Sequence, residues 1–417
     1  MSQNGDRGKP IAETSLPLPK QATGFSTRAV HGGAPRDEAV WGTGSAGEHP
    51  HVPPLFLTSN FEYADSQAAD QAARGQAFIY ARHGNPTVQS FEQAVAELED
   101  AGGSEQVEAV AFGSGTAALF GAILGTGKGS ALIVSDGLYG GSTEMVRDQL
   151  PAMGLQSVFV PAWQTEAVVA ALRPDTRAIV IETITNPLLR VSDVVALAAL
   201  AQKHGIALIV DSTFATPCLL QPLALGATAV VHSVSKYLAG HSDLVGGIVV
   251  ANSETAARVR NHRTVLGAIM DPFCAWLSLR GLRTLPLRIE RQVRSAQRLA
   301  EYLEQHPRIR VVHYPGLASH PDHARAAALL RGPGAIVSFD AGSLTAARSF
   351  YDRIHVMRRA SSLGGVSSLV THPASFSHRA LSPETREAQG ITDGLLRISV
   401  GIEDVDDLLA DTDQALA

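Results

Sequence analysis

Short apolar runs alternate with segments of helical spacing along the middle of the chain. The apolar runs lie at residues 107–112, 131–135, 156–160, 178–182, 206–210, 228–232 and 247–250, and helical segments at 116–124, 166–172 and 193–204 separate several of them. A continuous apolar run indicates a strand that is buried on both faces, and strands separated by helices indicate a mainly parallel sheet. We therefore predict an α/β fold with a mainly parallel seven-stranded sheet in a large domain.

The pattern changes after residue 262. An arginine-rich stretch at 271–306 has helical spacing, and a turn at 313–316 leads to short apolar runs at 335–340, 366–370 and 396–399. A helix followed by short strands indicates a second and smaller packed unit. The chain is therefore predicted to divide into a large domain at 65–262 and a C-terminal α/β domain at 263–417.

The first 64 residues lack this alternation. Residues 1–24 are polar and aperiodic, which predicts a disordered tail, and residues 25–64 are predicted to form an extended arm that is too short for its own core. Pro53 and Pro54 exclude a helix within the arm. Beyond it, Thr87 has the chemistry of a helix N-cap, with apolar residues at helical spacing behind it. We expect the arm to wrap another subunit or domain.

Composition and charge argue against several classes of function. The chain of 417 residues is 45% hydrophobic and 18% charged, with a net charge of −6 and a pI near 6.2, so neither nucleic-acid nor membrane binding is expected. No apolar run reaches the roughly 20 residues that span a bilayer, and the N-terminus has no signal-peptide pattern. Cys218 and Cys274 are far apart and no metal-ligand spacing occurs, so we expect a cytoplasmic protein without a metal site.

The residues that follow the apolar runs are candidates for chemistry, because ligands of parallel α/β sheets bind beyond the carboxyl ends of the strands. Lys236 follows one run in the sequence Ser233-Val-Ser-Lys236, among small and hydroxyl-bearing residues. An amine in a partly desolvated pocket has a lowered pKa and acts as a Schiff-base nucleophile. Asp211 is suited to keep a ring nitrogen protonated, and Tyr139 is suited to stack on a ring face.

A phosphate site is predicted beside these residues. Gly113-Ser-Gly-Thr116 follows a strand and opens a helix, so its N–H groups suit a phosphate, and Ser233 and Ser235 add hydroxyl donors. The segment lacks the third glycine of a dinucleotide fingerprint, and residues 125–130 depart from a Walker A loop. An amine, a partner for a ring nitrogen, a stacking ring and a phosphate site together predict pyridoxal 5′-phosphate as the cofactor.

These motifs resemble those of the cysteine and methionine metabolism family of fold-type I pyridoxal-phosphate enzymes, which includes cystathionine γ-synthase, cystathionine γ-lyase and methionine γ-lyase. The resemblance extends over about residues 27–404. It implies that Lys236 is the Schiff-base lysine and proton shuttle, that Asp211 is the pyridinium partner, and that Tyr139 stacks on the ring and contacts the leaving group. It implies further cofactor contacts at Gly115, Thr116, Asn186, Ser233 and Ser235.

The resemblance also implies shared sites and a substrate-binding end. Tyr80 and Arg82 would reach the phosphate bound by a neighbouring subunit, which implies a homodimer at least and predicts a tetramer. Arg397 and Ser362 would bind the α-carboxylate of a small amino-acid substrate. Ser361 and Ser367 stand where the cystathionine enzymes of this family carry glutamates, near the distal end of the substrate, so recognition of that end is expected to differ.

The resemblance predicts elimination or replacement at the γ-carbon of a homoserine-type amino acid, through a vinylglycine-type intermediate. Two alternatives stay open. One is a specialised enzyme that expels another γ leaving group, as in S-adenosylmethionine, or uses a nucleophile other than cysteine, unless Ser361 and Ser367 are neutral substitutions. The other is a non-catalytic homologue that binds pyridoxal phosphate, and the presence of Lys236, Asp211 and Arg397 argues against it.

Overall fold

A computed structural model of the chain describes residues 24–33, 50–75, 77–100, 106–379 and 381–417. Residues 1–23 of the predicted tail and residues 34–49 of the predicted arm lie outside these ranges. The arm begins with a helix, α1 (Phe25–His31), so the prediction of an extended arm is wrong there. Arg28 on α1 donates to the Asp100 carbonyl oxygen at 2.6 Å. This contact with the body of the protein, which local spacing does not reveal, fixes the position of the helix.

Seven strands form the predicted large sheet. They are β1 (Val107–Phe112), β2 (Ala131–Ser135), β3 (Gln156–Val160), β4 (Thr176–Glu182), β5 (Ala207–Asp211), β6 (Ala229–Ser233) and β7 (Gly247–Asn252). Their order is β1-β7-β6-β5-β4-β2-β3, with parallel pairing from β3 to β6 and antiparallel pairing of β7 with β6 and β1. The mainly parallel seven-stranded sheet is confirmed, with three strands at the predicted bounds and four shifted by one or two residues.

Burial on both faces explains why these strands read as continuous apolar runs. Every residue of β2 is buried, and alternate residues of the central strands belong to two separate apolar layers. On β5, Leu208 and Val210 face one layer, whereas Ala207 and Ile209 face the other. Burying a Leu, Ile or Val side chain stabilises the fold by about 2 kcal/mol, so both faces select apolar residues until the strand ends. Polar residues therefore collect at the carboxyl edge of the sheet.

Helices cover both faces of this sheet, and the start of α3 corrects one prediction. The helices after α1 are α2 (Ser66–Ala73), α3 (Pro86–Glu99), α4 (Gly115–Gly125), α5 (Gly140–Glu144), α6 (Thr165–Ala170), α7 (Val194–His204), α8 (Thr216–Leu219) and α9 (Ser253–Leu266). The N-cap of α3 is Asn85, whose Oδ1 accepts from the Thr87 N–H at 2.9 Å, so Thr87 is not the cap. Pro86 favours the earlier start, because the first helical residue needs no N–H donor. Thr87 Oγ1 donates instead to the Pro54 carbonyl oxygen at 3.0 Å and ties the arm to α3.

A second and smaller sheet follows in the C-terminal part of the chain, as predicted. Its strands have the order β10-β11-β12-β9-β8 and pair in antiparallel fashion except for β10 with β11. The elements are β8 (Val311–His313), β9 (Ile336–Asp340), β10 (Arg358–Arg359), β11 (Leu369–Thr371), β12 (Leu395–Ser399), α10 (Pro272–Leu282), α11 (Leu285–Gln305), α12 (His323–Leu329), α13 (Leu344–Arg353), α14 (Pro383–Ala388) and α15 (Val405–Leu416). The sequence did not reveal β8 and β10, which are too short to show a pattern, and β11 begins later than the run at 366–370 predicted.

The predicted helical stretch at 271–306 is two helices. α10 ends at Leu282 and α11 begins at Leu285. Pro286 explains the break, because inside a continuous helix its ring and its missing N–H would disrupt the preceding turn, whereas both are tolerated in a first turn. Although α11 has 21 residues, neither it nor any other helix in the described part of the chain is apolar enough to span a membrane.

Candidate active site

A cavity of about 410 Å³ lies at the carboxyl ends of β4, β5 and β6, where the strand-end residues were expected to meet. Residues from the second sheet and its loops close the other side of the cavity. The predicted site residues on its wall are Gly115, Thr116, Tyr139, Asn186, Asp211, Ser233, Ser235, Lys236, Ser361, Ser362 and Arg397. The fold therefore brings together residues that are far apart in the sequence.

Lys236 lies in the loop after β6 and reaches into the cavity. Its Nζ donates to Ser362 Oγ at 2.7 Å, across 126 positions of sequence. Ser362 has a φ of +85°, which is rare for a residue with a side chain and marks a constrained position. Burial, and to a lesser extent the positive charge of Arg397, lowers the pKa of Lys236 to about 8. About a tenth of the amine is then unprotonated at pH 7, as a nucleophile requires.

Two carboxyl groups lie side by side at the ends of β4 and β5. Glu182 and Asp211 are direct partners in this parallel pair, so their side chains point to the same face. Asp211 Oδ1 accepts from the Thr213 N–H at 3.0 Å, and Glu182 Oε1 accepts from the Tyr139 N–H at 2.8 Å. Burial raises the pKa of both, and the charge of Asp211 raises the pKa of Glu182 further, well above its usual value. Since neighbouring carboxyl groups resist ionising together, we expect the pair to carry one negative charge, and the larger rise in the pKa of Glu182 favours Asp211 as the ionised member.

The first turn of α4 and the end of β6 form a cradle for a phosphate. A Cβ atom at Gly115 would lie 2.9 Å from Ser233 Cβ and Oγ, so only glycine allows this approach. Ser114 Oγ caps α4 by accepting from the Ala117 N–H at 3.1 Å, and the earlier N–H groups of the turn are directed out of the helix end. Ser235 Oγ accepts from the Gly246 N–H at 2.9 Å, which fixes its hydroxyl group. A helix N-terminus surrounded by hydroxyl groups suits a phosphate.

Arg397 on β12 presents a fixed and buried guanidinium to the cavity. Only 5% of the residue is exposed. Its terminal nitrogens donate to Asn186 Oδ1 and to the Ser362 carbonyl oxygen, each at 2.8 Å, and its Nε has no partner within the described residues. Burial lowers the pKa of Arg397 to about 10, so the side chain stays positively charged at neutral pH. A planar cation held in this way suits a carboxylate.

Three of the predicted site residues do not line the cavity. Ser367 is exposed, and so is Tyr80, at 45%. Arg82 Nη1 donates to the Thr264 carbonyl oxygen at 3.1 Å, and its guanidinium carbon lies 6.0 Å from the centre of the Tyr80 ring. Within one chain, then, Tyr80 and Arg82 are neighbours on the surface, and their roles and that of Ser367 stay predictions.

The sequence interpretation missed Glu182 and Arg379, which both line the cavity. Glu182 could have been recognised in the sequence, because it is a carboxyl group at the end of an apolar strand, next to the strand that ends in Asp211. No sequence pattern points to Arg379, since it lies in an irregular loop between β11 and β12. Only the packing of that loop brings Arg379 to the cavity.

The cavity wall fits pyridoxal 5′-phosphate. Lys236 offers a partly unprotonated amine for an aldehyde, and Asp211 offers a half-buried carboxyl group for a ring nitrogen. The cradle at Gly115 and Ser233 provides N–H and hydroxyl donors for a phosphate. Tyr139, which is 49% exposed, lies on the cavity wall, where its ring is accessible for stacking. Each group of this cofactor that needs a partner therefore finds one.

Comparison with known proteins agrees with this chemistry. A family model described as "Cys/Met metabolism PLP-dependent enzyme" matches residues 26–417. The chain belongs to this family. The resemblance found in the sequence is therefore confirmed, and membership of the family implies pyridoxal phosphate as the cofactor and an enzyme of cysteine and methionine metabolism.

Relatives of this Cys/Met family member carry the names of lyases. The chain is 39% identical to the cystathionine gamma-lyase of Bacillus subtilis, over 94% of this chain and 98% of the relative, and 38% identical to the L-methionine gamma-lyase of Pseudomonas putida, over 94% and 97%. A solved structure described as metB from Corynebacterium glutamicum superposes with a TM-score of 0.85 at 36% identity, covering 96% of this chain and 99% of that one. The likeness confirms the predicted fold-type I architecture.

Proposed function

We propose that this protein is a pyridoxal-phosphate-dependent enzyme that expels a substituent from the γ-carbon of a homoserine-type L-amino acid. The observation that carries the proposal is the presence of Lys236, Asp211 and Arg397 on the wall of one cavity. The names of two relatives, cystathionine gamma-lyase and L-methionine gamma-lyase, support elimination at that carbon, whereas others are named cystathionine beta-lyase. They lend no support to S-adenosylmethionine as substrate or to a homologue without catalysis.

The cavity residues divide the binding of the cofactor among them. Pyridoxal phosphate supplies an electron sink for the charge that develops at the α-carbon of the substrate. Lys236 Nζ would bind its aldehyde carbon, Asp211 would keep its ring nitrogen protonated, and Tyr139 would cover one ring face. The remaining contacts would come from Asn186 to the phenolic oxygen and from Gly115, Thr116, Ser233 and Ser235 to the phosphate.

Lys236 is also the group that moves protons. With a pKa near 8, its Nζ is basic enough to remove the proton from the α-carbon of the substrate and acidic enough to return a proton nearby. Ser362 Oγ, at 2.7 Å, keeps Nζ within the cavity while these transfers take place. Tyr139 lies on the same wall and would contact the leaving group at the γ-carbon.

Arg397 orients the substrate for these proton transfers. Its guanidinium would bind the α-carboxylate, and the contacts to Asn186 and Ser362 prevent the plane of the guanidinium from turning. Ser362 therefore contacts both the acid-base group and the carboxylate-binding group through different atoms, since its hydroxyl accepts from Lys236 and its carbonyl accepts from Arg397. A rigid link of this kind fixes the α-carbon relative to the base.

We propose further that a second copy of the chain completes the site. Tyr80 and Arg82 lie on the surface of their own chain and outside its cavity. A phosphate held only by a helix end and hydroxyl groups lacks a full positive counter-charge, which Arg82 of another copy would supply. Asn60 of the arm pairs with Tyr80 in an antiparallel β-bridge, so the arm lies against these residues. The predicted dimer, or tetramer, would supply this contact.

The lowered pKa of Lys236 predicts how binding of the cofactor depends on pH. The unprotonated amine attacks the aldehyde, so we expect the rate at which the cofactor-free protein captures pyridoxal phosphate to rise with pH and to approach a plateau above pH 8. Stopped-flow absorbance between pH 6.5 and about 10 measures this rate. Nα-acetyl-lysine, measured in parallel, should keep gaining rate up to about pH 10.4 and corrects for titration of the cofactor. Identical pH profiles of the rate for the protein and for the free amine would contradict the assignment of Lys236, with its lowered pKa, as the amine that captures the cofactor.

The products formed from candidate substrates test whether the protein eliminates the γ-substituent. The cofactor-bound protein should convert at least one of O-succinyl-L-homoserine, O-acetyl-L-homoserine, L-cystathionine and L-methionine into 2-oxobutyrate and ammonia in equal amounts. Mass spectrometry of the keto acid makes the measurement, with S-adenosylmethionine tested beside the others. Pyruvate as the sole keto acid from cystathionine would place the bond cleavage at the β-carbon and contradict the proposal. No turnover, together with an unperturbed cofactor spectrum for all five compounds, would favour a binding protein.

A further inference from the structure

Five carboxyl, amine or guanidinium side chains line the cavity: Glu182, Asp211, Lys236, Arg379 and Arg397. The proposed reaction uses Lys236 for proton transfer, Asp211 for the ring nitrogen and Arg397 for the α-carboxylate. Glu182 is buried and accepts from the Tyr139 N–H. Arg379 has no task in that reaction, although it is the exposed cation of the cavity wall.

The chain segment that carries Arg379 is anchored at several points. His372 Nδ1 hydrogen-bonds to Ser375 Oγ at 2.7 Å, and its Nε2 to the Asp393 carbonyl oxygen at 2.8 Å. A Cβ atom at Gly140 would clash with the Ser377 carbonyl oxygen, so the segment packs directly against the turn that carries Tyr139. These contacts fix the backbone that leads into Arg379 beside the proposed position of the leaving group.

The guanidinium of Arg379 has little to hold it in the structure. Its Nη1 donates to the Phe376 carbonyl oxygen at 3.2 Å, and no ion pair to Arg379 occurs within the described part of the chain. Phe376 and Ser377, which are close to it in the sequence, are uncharged, and so are Ser361 and Thr371 elsewhere on the cavity wall. A cation with free donors and no competing carboxylate at the mouth of a cavity attracts anions.

We propose that Arg379 is a specificity-determining residue that binds an anionic group at the far end of the γ-substituent of the substrate. The preferred substrate is then a homoserine derivative whose γ-substituent ends in a carboxylate or a phosphate. Such a molecule is anionic at both ends, and the cavity offers it two separate guanidinium groups, Arg397 for the α-carboxylate and Arg379 for the distal anion. This inference rests on the proposed γ-carbon chemistry.

Two properties of the wall strengthen the inference. The hydroxyl group of Ser361 can donate to the same distal anion, so the guanidinium does not act alone, whereas Ser377 Oγ already hydrogen-bonds to His378 Nδ1 at 2.8 Å. The cavity also contains no ionised carboxylate near its mouth, because Asp211 and Glu182 lie at the strand ends, and the pKa of Glu182 is raised well above its usual value. A neutral γ-substituent gains nothing from Arg379, and a positively charged one is repelled by it.

The test compares two esters that share the homoserine part and differ in the distal charge. For Arg379→Met we expect kcat/KM with O-succinyl-L-homoserine to fall about tenfold, and with the uncharged O-acetyl-L-homoserine to change by less than about twofold. Arg379→Glu should lower kcat/KM for the succinyl ester about 100-fold, because the new carboxylate repels the carboxylate of the succinyl group. Arg348→Met is the matched control, since Arg348 is an exposed arginine of α13 that does not line the cavity. The proposal would be overturned if Arg379→Met lost kcat/KM equally with both esters, or lost none with the succinyl ester.

A third ester and a pair of inert ligands complete the design. O-phospho-L-homoserine carries its anion closer to the γ-carbon. If Arg379→Met loses more kcat/KM with this ester than with the succinyl ester, the site is assigned to phosphate, and the reverse result assigns it to carboxylate.

The two inert ligands, L-2-aminoadipate and L-norleucine, have the same length and differ only in the terminal group. Their Kd values follow from the absorbance of the bound cofactor. Arg379→Met should raise the Kd of aminoadipate about tenfold and leave that of norleucine unchanged, with a smaller difference at high salt. If the wild-type protein turns over none of the esters and neither cystathionine nor methionine, the proposed function fails while the ratio of Kd values still tests Arg379.

Discussion

Replacing Lys236 by alanine should lower kcat by at least about 10³-fold, because the variant loses both the nucleophile for the cofactor and the base for the α-proton. The visible absorption of the bound cofactor should disappear or shift in the same variant, and absorption spectroscopy detects this without any turnover. The fold should persist, since the change removes one polar contact, that of Nζ with Ser362 Oγ, and Ser362 is not fully buried. Thermal unfolding therefore provides the check on stability.

The matched control for this experiment is Lys128→Ala. Lys128 is an exposed lysine in the turn between α4 and β2, outside the cavity. We expect this variant to keep the wild-type kcat and spectrum. Retention of both by Lys236→Ala as well would show that another group performs the chemistry, and the functional proposal would then be wrong.

Asp211→Asn should lower kcat by about 10²-fold at nearly unchanged stability. Asparagine has the shape of aspartate and its side-chain oxygen can still accept from the Thr213 N–H, so the strand end keeps its geometry. It lacks the negative charge, however, and cannot keep a ring nitrogen protonated, which weakens the electron sink. Steady-state kinetics and the pH dependence of the cofactor spectrum measure the two consequences separately. The spectral change should be visible in the absence of substrate.

Glu182→Gln is the informative partner of this variant. If Glu182 is protonated and Asp211 ionised, glutamine preserves both the charge of the site and the acceptor for the Tyr139 N–H, which lies at 2.8 Å. We then expect a loss in kcat of less than about threefold, far below that of Asp211→Asn. A larger loss for Glu182→Gln than for Asp211→Asn would reverse the assignment of the charge. The pair of variants thus decides which of the two adjacent carboxyl groups is ionised.

The apolar pattern was enough to predict the large sheet and the residues at its edge. A strand covered on both faces needs apolar side chains at every position, so the runs that became β1 to β7 are visible without any alignment. The residues that follow each run then mark the carboxyl edge of the sheet, and Lys236, Asp211, Ser233 and Gly115 were found in this way. Resemblance to the family added Arg397 and Asn186, which no periodicity singles out.

Element boundaries and short elements needed the structure. The break between α10 and α11 depends on Pro286. The helical spacing of apolar residues continues on both sides of this proline, so the sequence pattern predicted a single helix. The helix α1 gains its stability from contacts with α3, so its own seven residues do not reveal it. β8 and β10, with three and two residues, exist only because the neighbouring strands pair with them.

What the sequence determined by itself is the type of chemistry, because a lysine, an aspartate and a glycine-rich helix start have characteristic uses at the ends of buried strands. What only the tertiary structure decided is how these groups affect one another. Ser362 contacts both Lys236 and Arg397, and Glu182 lies against Asp211, through pairings that join distant parts of the chain. Arg379 reaches the cavity because its loop packs on the turn at Gly140. Sequence spacing records which faces of a helix or strand are buried, whereas contacts between loops follow from the path of the whole chain.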